Sequence, residues 1–361
     1  MGRIIHPQHA RHSIFCILPP HILIEISKNG SPTQRTQAID ALSVDHSIRQ
    51  DRATNAAIAS AIGASRAPRL TAISHVPQRT IYDAQNSQQL PGKIVRLENS
   101  PTTNIPVIDE AYSGLGSTFE FYLQVYHRDS IDDAGMPMNA SVHFGTNYDN
   151  AFWNGQQMVF GDGDGSLFNR FTIALDVIGH ELTHGVTEHD AGLAYSGQSG
   201  ALNESVSDVF GVLIKQYANK QTVAQADWLI GAGLLAAGVK GVALRSMKAP
   251  GTAYDDPVLG KDPQPATMQG YVKTLSDNGG VHINSGIPNH AFFLAAVALG
   301  GNAWEKAGRV WYETLGDAHL KPHATFRKFA NLTVSTAGKI FGAGSVESKA
   351  IHDAWHQVGV L

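Results

Sequence analysis

The chain is nearly devoid of cysteine: among 361 residues only Cys16 carries a thiol, so no disulfide can close within one molecule. It also lacks a basic excess. Twenty-seven Lys and Arg against 31 Asp and Glu give a net charge of −4, with no basic stripe of the kind that grips nucleic acid. No apolar run approaches the ~20 residues that cross a bilayer, so neither nucleic acid nor membrane is an expected partner. The N-terminus, Met1-Gly2-Arg3-Ile4-Ile5-His6-Pro7, has no apolar core of ~7–15 residues as a secretory signal would. Ile14 to Leu18 is a short run that ends at Pro19-Pro20. Secretion by a route without a classical signal peptide is expected, with cytoplasmic retention as the alternative. A composition 43% hydrophobic and 16% charged suffices for two cores.

What is present is a chemical motif. In Val177-Ile178-Gly179-His180-Glu181-Leu182-Thr183-His184, the two histidines stand four residues apart. On an α-helix both imidazoles then project from one face at metal-chelating distance. Glu181, beside the first ligand, can reach a metal-held water without itself binding the metal. A catalytic zinc takes three protein ligands and keeps a fourth position open. The third is expected in Asn203-Glu204-Ser205-Val206-Ser207-Asp208, a helix-like run, with Glu204 as ligand. Asp208, one turn later, can accept the second N–H of a ligand histidine and fix its tautomer. A surface helix with incidental histidines would not explain this second element.

Further segments follow in order: Asn150-Ala151-Phe152-Trp153-Asn154-Gly155-Gln156-Gln157-Met158-Val159-Phe160-Gly161-Asp162-Gly163-Asp164-Gly165, Ala191-Gly192-Leu193-Ala194-Tyr195, Ala243-Leu244-Arg245-Ser246-Met247, and Asp277-Asn278-Gly279-Gly280-Val281-His282-Ile283-Asn284-Ser285-Gly286. With the zinc motif they resemble the thermolysin-like metallopeptidases from about Thr80 to the C-terminus. The short N-terminal segment is most similar to that of the protealysin group. The resemblance implies a zinc endopeptidase made as a proenzyme. It assigns Glu181 as general base and Tyr195 and His282 as oxyanion donors, with Asp277 keeping His282 protonated. Asn150 and Arg245 would clamp the substrate backbone, with the main-chain carbonyls of Ala151 and Trp153 as acceptors. Phe168, Phe171, Val177, Ile230 and Leu244 would line an apolar pocket after the scissile bond, favouring cleavage before Leu, Ile, Val or Phe. Phe171 is larger than the leucine usual there. A catalytically silent peptide binder and a zinc aminopeptidase are the competing classes. The first is disfavoured because every catalytic residue is present, the second because the Asn150 block suits an internal peptide.

The expected fold is α+β, with a β-rich N-terminal lobe, an α-helical C-terminal lobe and the zinc helix between them. The expected divisions are a propeptide over 1–65, a linker over 66–79, a peptidase lobe over 80–190 and a helical lobe over 191–361. Strands are read at Thr80–Asp83, Lys93–Leu97 and Ala140–Phe144. Helices are read at Phe119–Tyr126, Asn203–Tyr217, Asn289–Leu299 and Thr325–Thr336. In the leader, Thr33–Ala61 has helical character with apolar positions at Ile39, Leu42, Ile48 and Ile58. The expected partners are peptide or protein substrates and the leader itself, acting as an intramolecular inhibitor on a monomer. In that role Pro19-Pro20-His21-Ile22-Leu23 docks in the cleft, and a variant has the Cys16 thiolate capping the zinc. Asp162 and Asp164 read as a tight turn, and His143, His189, His290 and His319 as non-ligands. Against the resemblance, the acidic calcium cluster of such enzymes is depleted. Asp176 and Asp227 remain, but Lys215 and Ala232 replace acids, the loop Gly238–Val242 has no carboxylate, and Leu97 and Asn99 stand where aspartates are wanted. Bound calcium is therefore doubtful, and Lys215 is expected to sit between Asp176 and Asp227.

Overall fold

The computed structural model describes residues 15–61 and 75–361. In chain order the elements are strand β1 (Phe15–Cys16), helices α1 (Pro20–Asn29) and α2 (Pro32–Ala61), strands β2 (Arg79–Asp83) and β3 (Lys93–Leu97), helix α3 (Pro106–Tyr126), and strands β4 (Met138–Val142), β5 (Ala151–Trp153) and β6 (Gln157–Phe160). Helices α4 (Leu175–Asp190) and α5 (Gly197–Ala218) follow, then the short strands β7 (Leu229–Ile230), β8 (Arg245–Ser246), β9 (Asp255–Asp256) and β10 (Gly260–Lys261). Helices α6 (Asp277–Asn284), α7 (Gly286–Leu299), α8 (Ala307–Leu315), α9 (Phe326–Phe341) and α10 (Val346–Gln357) complete the chain.

A mixed sheet runs in the order β1-β5-β6-β4-β2-β3. Strands β4, β2 and β6 are parallel neighbours, while β3 and β5 join antiparallel. Helix α3 lies across β2 and β4 and also meets α4, so the zinc-motif helix is held between the sheet and the C-terminal helices. The expected mixture of a β-rich lobe and an α-helical lobe is what the chain forms. The boundaries shift outward in several helices: α3 begins at Pro106, where Pro at the first helical turn suits the helix start, rather than at Phe119.

In the leader, β1 adds to the free edge of β5 with Phe15 opposite Trp153 and Cys16 opposite Phe152. Helix α1 buries Ile22, Leu23 and Ile26. Helix α2 corrects the sequence reading. Ile39 is 57% exposed, whereas Ala38, Ala41 and Asp45, spaced three and four residues apart, face inward. Small alanines let α2 lie close on α1, and Asp45 tolerates burial because it has hydrogen-bond donors there. The side chains of Ile48 and Ile58, and linker residues 66–74, lie outside what is described.

Away from the cleft, Lys215 Nζ donates to Asp176 Oδ2 at 2.7 Å, to Asp227 Oδ1 at 2.9 Å and to the Leu229 carbonyl at 2.7 Å. Burial opposes its charge, but the two aspartates outweigh that and hold its pKa above the ordinary lysine value. Asp164 closes the turn read at Gly161–Gly165, its Oδ1 accepting the N–H groups of Ser166, Leu167 and Phe168. His143 pairs with Asp162, and His319 with Asp317.

Candidate active site

Helices α4 and α5 pack at unusually close range because glycines meet there. A Cβ on Gly211 would lie 2.3 Å from the Asp176 carbonyl, and one on Gly179 would lie 2.7 Å from Ile214. That approach brings Glu204 of α5 against the histidines of α4. His180 and His184 turn their Nε2 atoms toward each other at 3.0 Å, and Glu204 oxygens lie 3.5 Å from both. Behind them, His180 Nδ1 meets Asp208 Oδ1 at 2.8 Å, and His184 Nδ1 meets Asn203 Oδ1 at 2.7 Å and Ser207 Oγ at 2.9 Å.

These partners assign the tautomers. A carboxylate and an amide oxygen can only accept, so both Nδ1 atoms carry hydrogen and both Nε2 atoms present bare lone pairs. Two lone pairs facing each other beside a buried carboxylate repel unless a cation lies among them. Glu204 Oε2 is buried with no hydrogen-bond partner, which marks the same place. Among the described residues, His180, His184 and Glu204 form the cluster that could hold a metal ion, and all three are buried. Cys16 is not in it. The thiolate-cap variant fails because the leader presents its main chain to the site: the Cys16 carbonyl lies 3.2 Å from His282 Nε2.

Glu181 is fully buried, with Oε2 accepting the Trp153 N–H at 3.0 Å and Oε1 unpartnered. Burial and then the nearby Glu204 push its carboxyl well above the usual range. Tyr195 donates its hydroxyl to Glu204 Oε1 and lies 3.2 Å from His282 Nε2. The Asp-Asn-Gly-Gly run has a geometric purpose. Asp277 to Gly280 all have positive φ, 53°, 51°, 89° and 75°, which curls the chain on itself. Asp277 thereby reaches forward to the N–H of His282 at 2.9 Å and to its Nδ1 at 2.6 Å. Burial disfavours the imidazolium, but Asp277 and Glu204 outweigh it, and the His282 pKa is raised.

The leader runs through this constellation as an extended peptide. The Ile17 N–H donates to the Ala151 carbonyl at 3.2 Å, and the Leu18 N–H to Asn150 Oδ1 at 3.0 Å. Arg245 Nη1 donates to the Ile17 carbonyl at 3.1 Å. The guanidinium is held by a bidentate pair with Asp208, Nε to Oδ2 at 2.9 Å and Nη2 to Oδ1 at 2.8 Å. Burial opposes ionisation of Asp208, but Arg245 and His180 prevail and hold it well below the usual carboxylate range. Phe168, Phe171, Val177, Ile230 and Leu244 are buried in the same apolar core as Ile17, with Phe168 and Phe171 rings 6.0 Å apart and Ile230 bonded to the Leu244 N–H.

The comparisons with known proteins agree with this arrangement. Residues 66–188 match the thermolysin metallopeptidase catalytic domain, and residues 191–360 match its alpha-helical domain. The chain belongs to the thermolysin metallopeptidase family. It is 52% identical over 353 residues to an extracellular metalloprotease of Pectobacterium carotovorum, covering 96% of each chain. It is 48% identical to protease PrtS of a Photorhabdus strain, covering 95% of this chain and 91% of that one. Among solved structures, the precursor of protealysin from Serratia proteamaculans superposes with a TM-score of 0.87 at 53% identity, covering 96% of this chain and all of that one. This metalloprotease is thus a neutral metalloendopeptidase of the thermolysin type, a hydrolase. No helix among the described residues is long and apolar enough to cross a membrane.

Sequence reasoning missed three contributors. Asn203, beside Glu204 in the motif, holds His184 through its Oδ1. Asn289 donates to Asp208 Oδ2 at 2.8 Å, and only its place in a helix four residues past Ser285 hints at it. Asp45 of α2 accepts from Tyr148 and Asn150, and no local signal marks it.

Proposed function

We propose that this metalloprotease is a zinc endopeptidase held latent by its own leader, residues 1 to about 65, with a linker over 66–79 and peptidase lobes over 80–190 and 191–361. The observation that carries the reading is the leader strand itself. Cys16, Ile17 and Leu18 make, with Ala151, Asn150, Arg245 and His282, the contacts that an extended substrate would need. A segment that fills a cleft with main-chain hydrogen bonds excludes any competing peptide.

His180, His184 and Glu204 would hold the zinc. When bound it lowers the pKa of a water toward ~7 and polarises the scissile carbonyl. Glu181 takes the proton from the attacking water and delivers it to the departing amine. Tyr195 and His282 donate to the oxygen where negative charge develops, and Asp277 keeps His282 in the donating, protonated form. Asp208 orients His180 and Arg245 together. Asn150, Arg245 and the Ala151 and Trp153 main chains align the peptide, and the apolar surround of Ile17 favours a bulky hydrophobic residue after the scissile bond. Calcium has no part in this scheme, since Lys215 supplies the positive charge between Asp176 and Asp227. The Pectobacterium relative is named extracellular, which supports release of this enzyme from the cell.

The test uses internally quenched peptides with blocked ends, offered to the full chain and to the processed enzyme, whose N-terminus is sequenced and whose zinc is measured. The processed enzyme should cleave before Leu, Ile, Val or Phe, and the full chain should be slow. Glu181→Gln should retain zinc and lose about 10²–10⁴-fold in kcat, the usual worth of a positioned base. A preference for charged residues at the position immediately after the scissile bond would sink the specificity, and equal activity of full chain and processed enzyme would sink the latency.

A further inference from the structure

Asp45 is buried in the body of the molecule, on helix α2 of the leader. Its Oδ1 accepts the Tyr148 hydroxyl at 2.5 Å and its Oδ2 accepts Asn150 Nδ2 at 3.1 Å. The exposures are 4% for Asp45, 5% for Tyr148 and 0% for Asn150. Tyr148 is fixed by edge-to-face contact with Phe144, at 5.2 Å between ring centres, and with Phe152, at 6.2 Å. Burial and then Asp45 hold its pKa well above the ordinary tyrosine value, so it remains a donor at neutral pH. Asn150 is divided between two parts of the leader: Oδ1 takes the Leu18 N–H, and Nδ2 serves Asp45.

Tyr148 and Asn150 belong to the peptidase, and Asp45 to the leader. When the leader departs, both donors lose this acceptor while the aromatic packing that aims Tyr148 remains. We propose that Tyr148 Oη and Asn150 Nδ2 form a carboxylate-binding subsite on the leaving-group side of the cleft, filled by Asp45 in the precursor and by a substrate carboxylate in the processed enzyme. This rests on the reading of the leader as an intramolecular inhibitor. The register fixes where the subsite acts. The Cys16 carbonyl faces His282, Ile17 follows it, and Leu18, the second residue onward, bonds Asn150. The carboxylate recognised therefore lies at the second or third residue after the scissile bond, as an acidic side chain or as the free end of the peptide. Two donors converging on one carboxylate form charge-assisted bonds, stronger than neutral ones.

The test is a set of quenched peptides sharing one scissile bond, with Glu or Gln at the second and third positions after it. A further pair ends at the second position as free acid or amide. With enzyme processed from the full chain, Glu at one of these positions should raise kcat/KM about tenfold over Gln, mainly through KM. In that set the free-acid pair tells whether a chain end serves equally. Tyr148→Phe should bring the Glu-to-Gln ratio close to one, read as a ratio on the same preparation so that any loss of folded enzyme cancels. In the full chain, Asp45→Asn keeps the side-chain shape but removes the charge, and it should raise residual activity severalfold. Wild-type ratios within twofold of one at both positions, with no gain from the free acid, would overturn the subsite, as would a high ratio that survives Tyr148→Phe. Failure of the inhibitor reading would show separately, as a full chain as active as the processed enzyme.

Discussion

Replacing Lys215 by alanine tests whether an ammonium does the work of an ion. The pair is asymmetric: the Asp176 side chain is 2% exposed and that of Asp227 is 46% exposed. Removing the cation costs little at Asp227, which water can solvate, as for other exposed pairs. The cost falls on Asp176, left as a buried carboxylate with one remaining donor, the Gly231 N–H at 3.2 Å. Breaking a buried pair from one side costs about 3–5 kcal/mol, and the surviving donor argues for the lower end. For the roughly 290 residues matched to the two peptidase domains, an unfolding entropy of ~2.1 cal/mol/K per residue gives ~0.6 kcal/mol/K, so the melting temperature should fall by about 5 °C. The sign with pH is clear. Lys215 has a raised pKa, so its contribution is complete below the unfolded lysine value of ~10.4 and is lost only as pH climbs through the higher folded value. Calorimetry at pH 7.5 therefore reads the whole effect. Added calcium should leave the wild type unmoved, because two carboxylates facing an ammonium offer too few oxygens for a cage of six to eight. Lys215→Glu should make melting calcium-dependent. A Lys215→Ala protein melting within 1 °C of wild type would refute the reasoning, as would a wild type that calcium stabilises strongly.

Other outcomes follow from the same geometry. Ile17→Asp places a charge in the apolar surround of a fully buried position, so the full chain should lose latency by at least tenfold in residual activity, measured on a quenched peptide. Asp208→Asn removes the charge shared by His180 and Arg245; metal affinity should fall about 10–100-fold by competition with a fluorescent chelator. His21 donates to or accepts from Tyr254 at 3.0 Å, and its buried Nδ1 has no partner. Burial, aided by the charges of His282 and Arg245 and opposed by those of Asp277 and Glu25, lowers its pKa to about 4. Leader docking is then complete above the free histidine value of ~6.5 and weakens as pH falls toward 4. A hydrogen–deuterium exchange measurement on α1 at pH 7.5 and 5 should show faster exchange in acid, after correction for intrinsic rates; equal protection would contradict it.

The sequence by itself determined the metal-ligating pattern and the family. The spacing His180, Glu181, His184 works on any helix, because a 3.6-residue period puts the two imidazoles on one face without help from the rest of the chain. Glu204 and Asp208 were legible through their spacing from the zinc motif and the strand at Lys93–Leu97 through its local pattern, whereas Tyr195, Arg245 and the Asp277–His282 run were named through the family resemblance. What tertiary structure decided were contacts between segments far apart in the chain, where no local periodicity reports. Helix α2 faces inward with Ala38, Ala41 and Asp45 rather than with Ile39, since close packing on α1 and two donors from the segment before β5 outweigh one exposed isoleucine. The leader enters the cleft by its main chain rather than its thiol, because β5 offers a free edge whose carbonyl and clamp residues satisfy an extended backbone. That edge exists only once β5, β6 and the zinc helix have come together, which is why the sequence could name the clamp residues but not the strand that fills them.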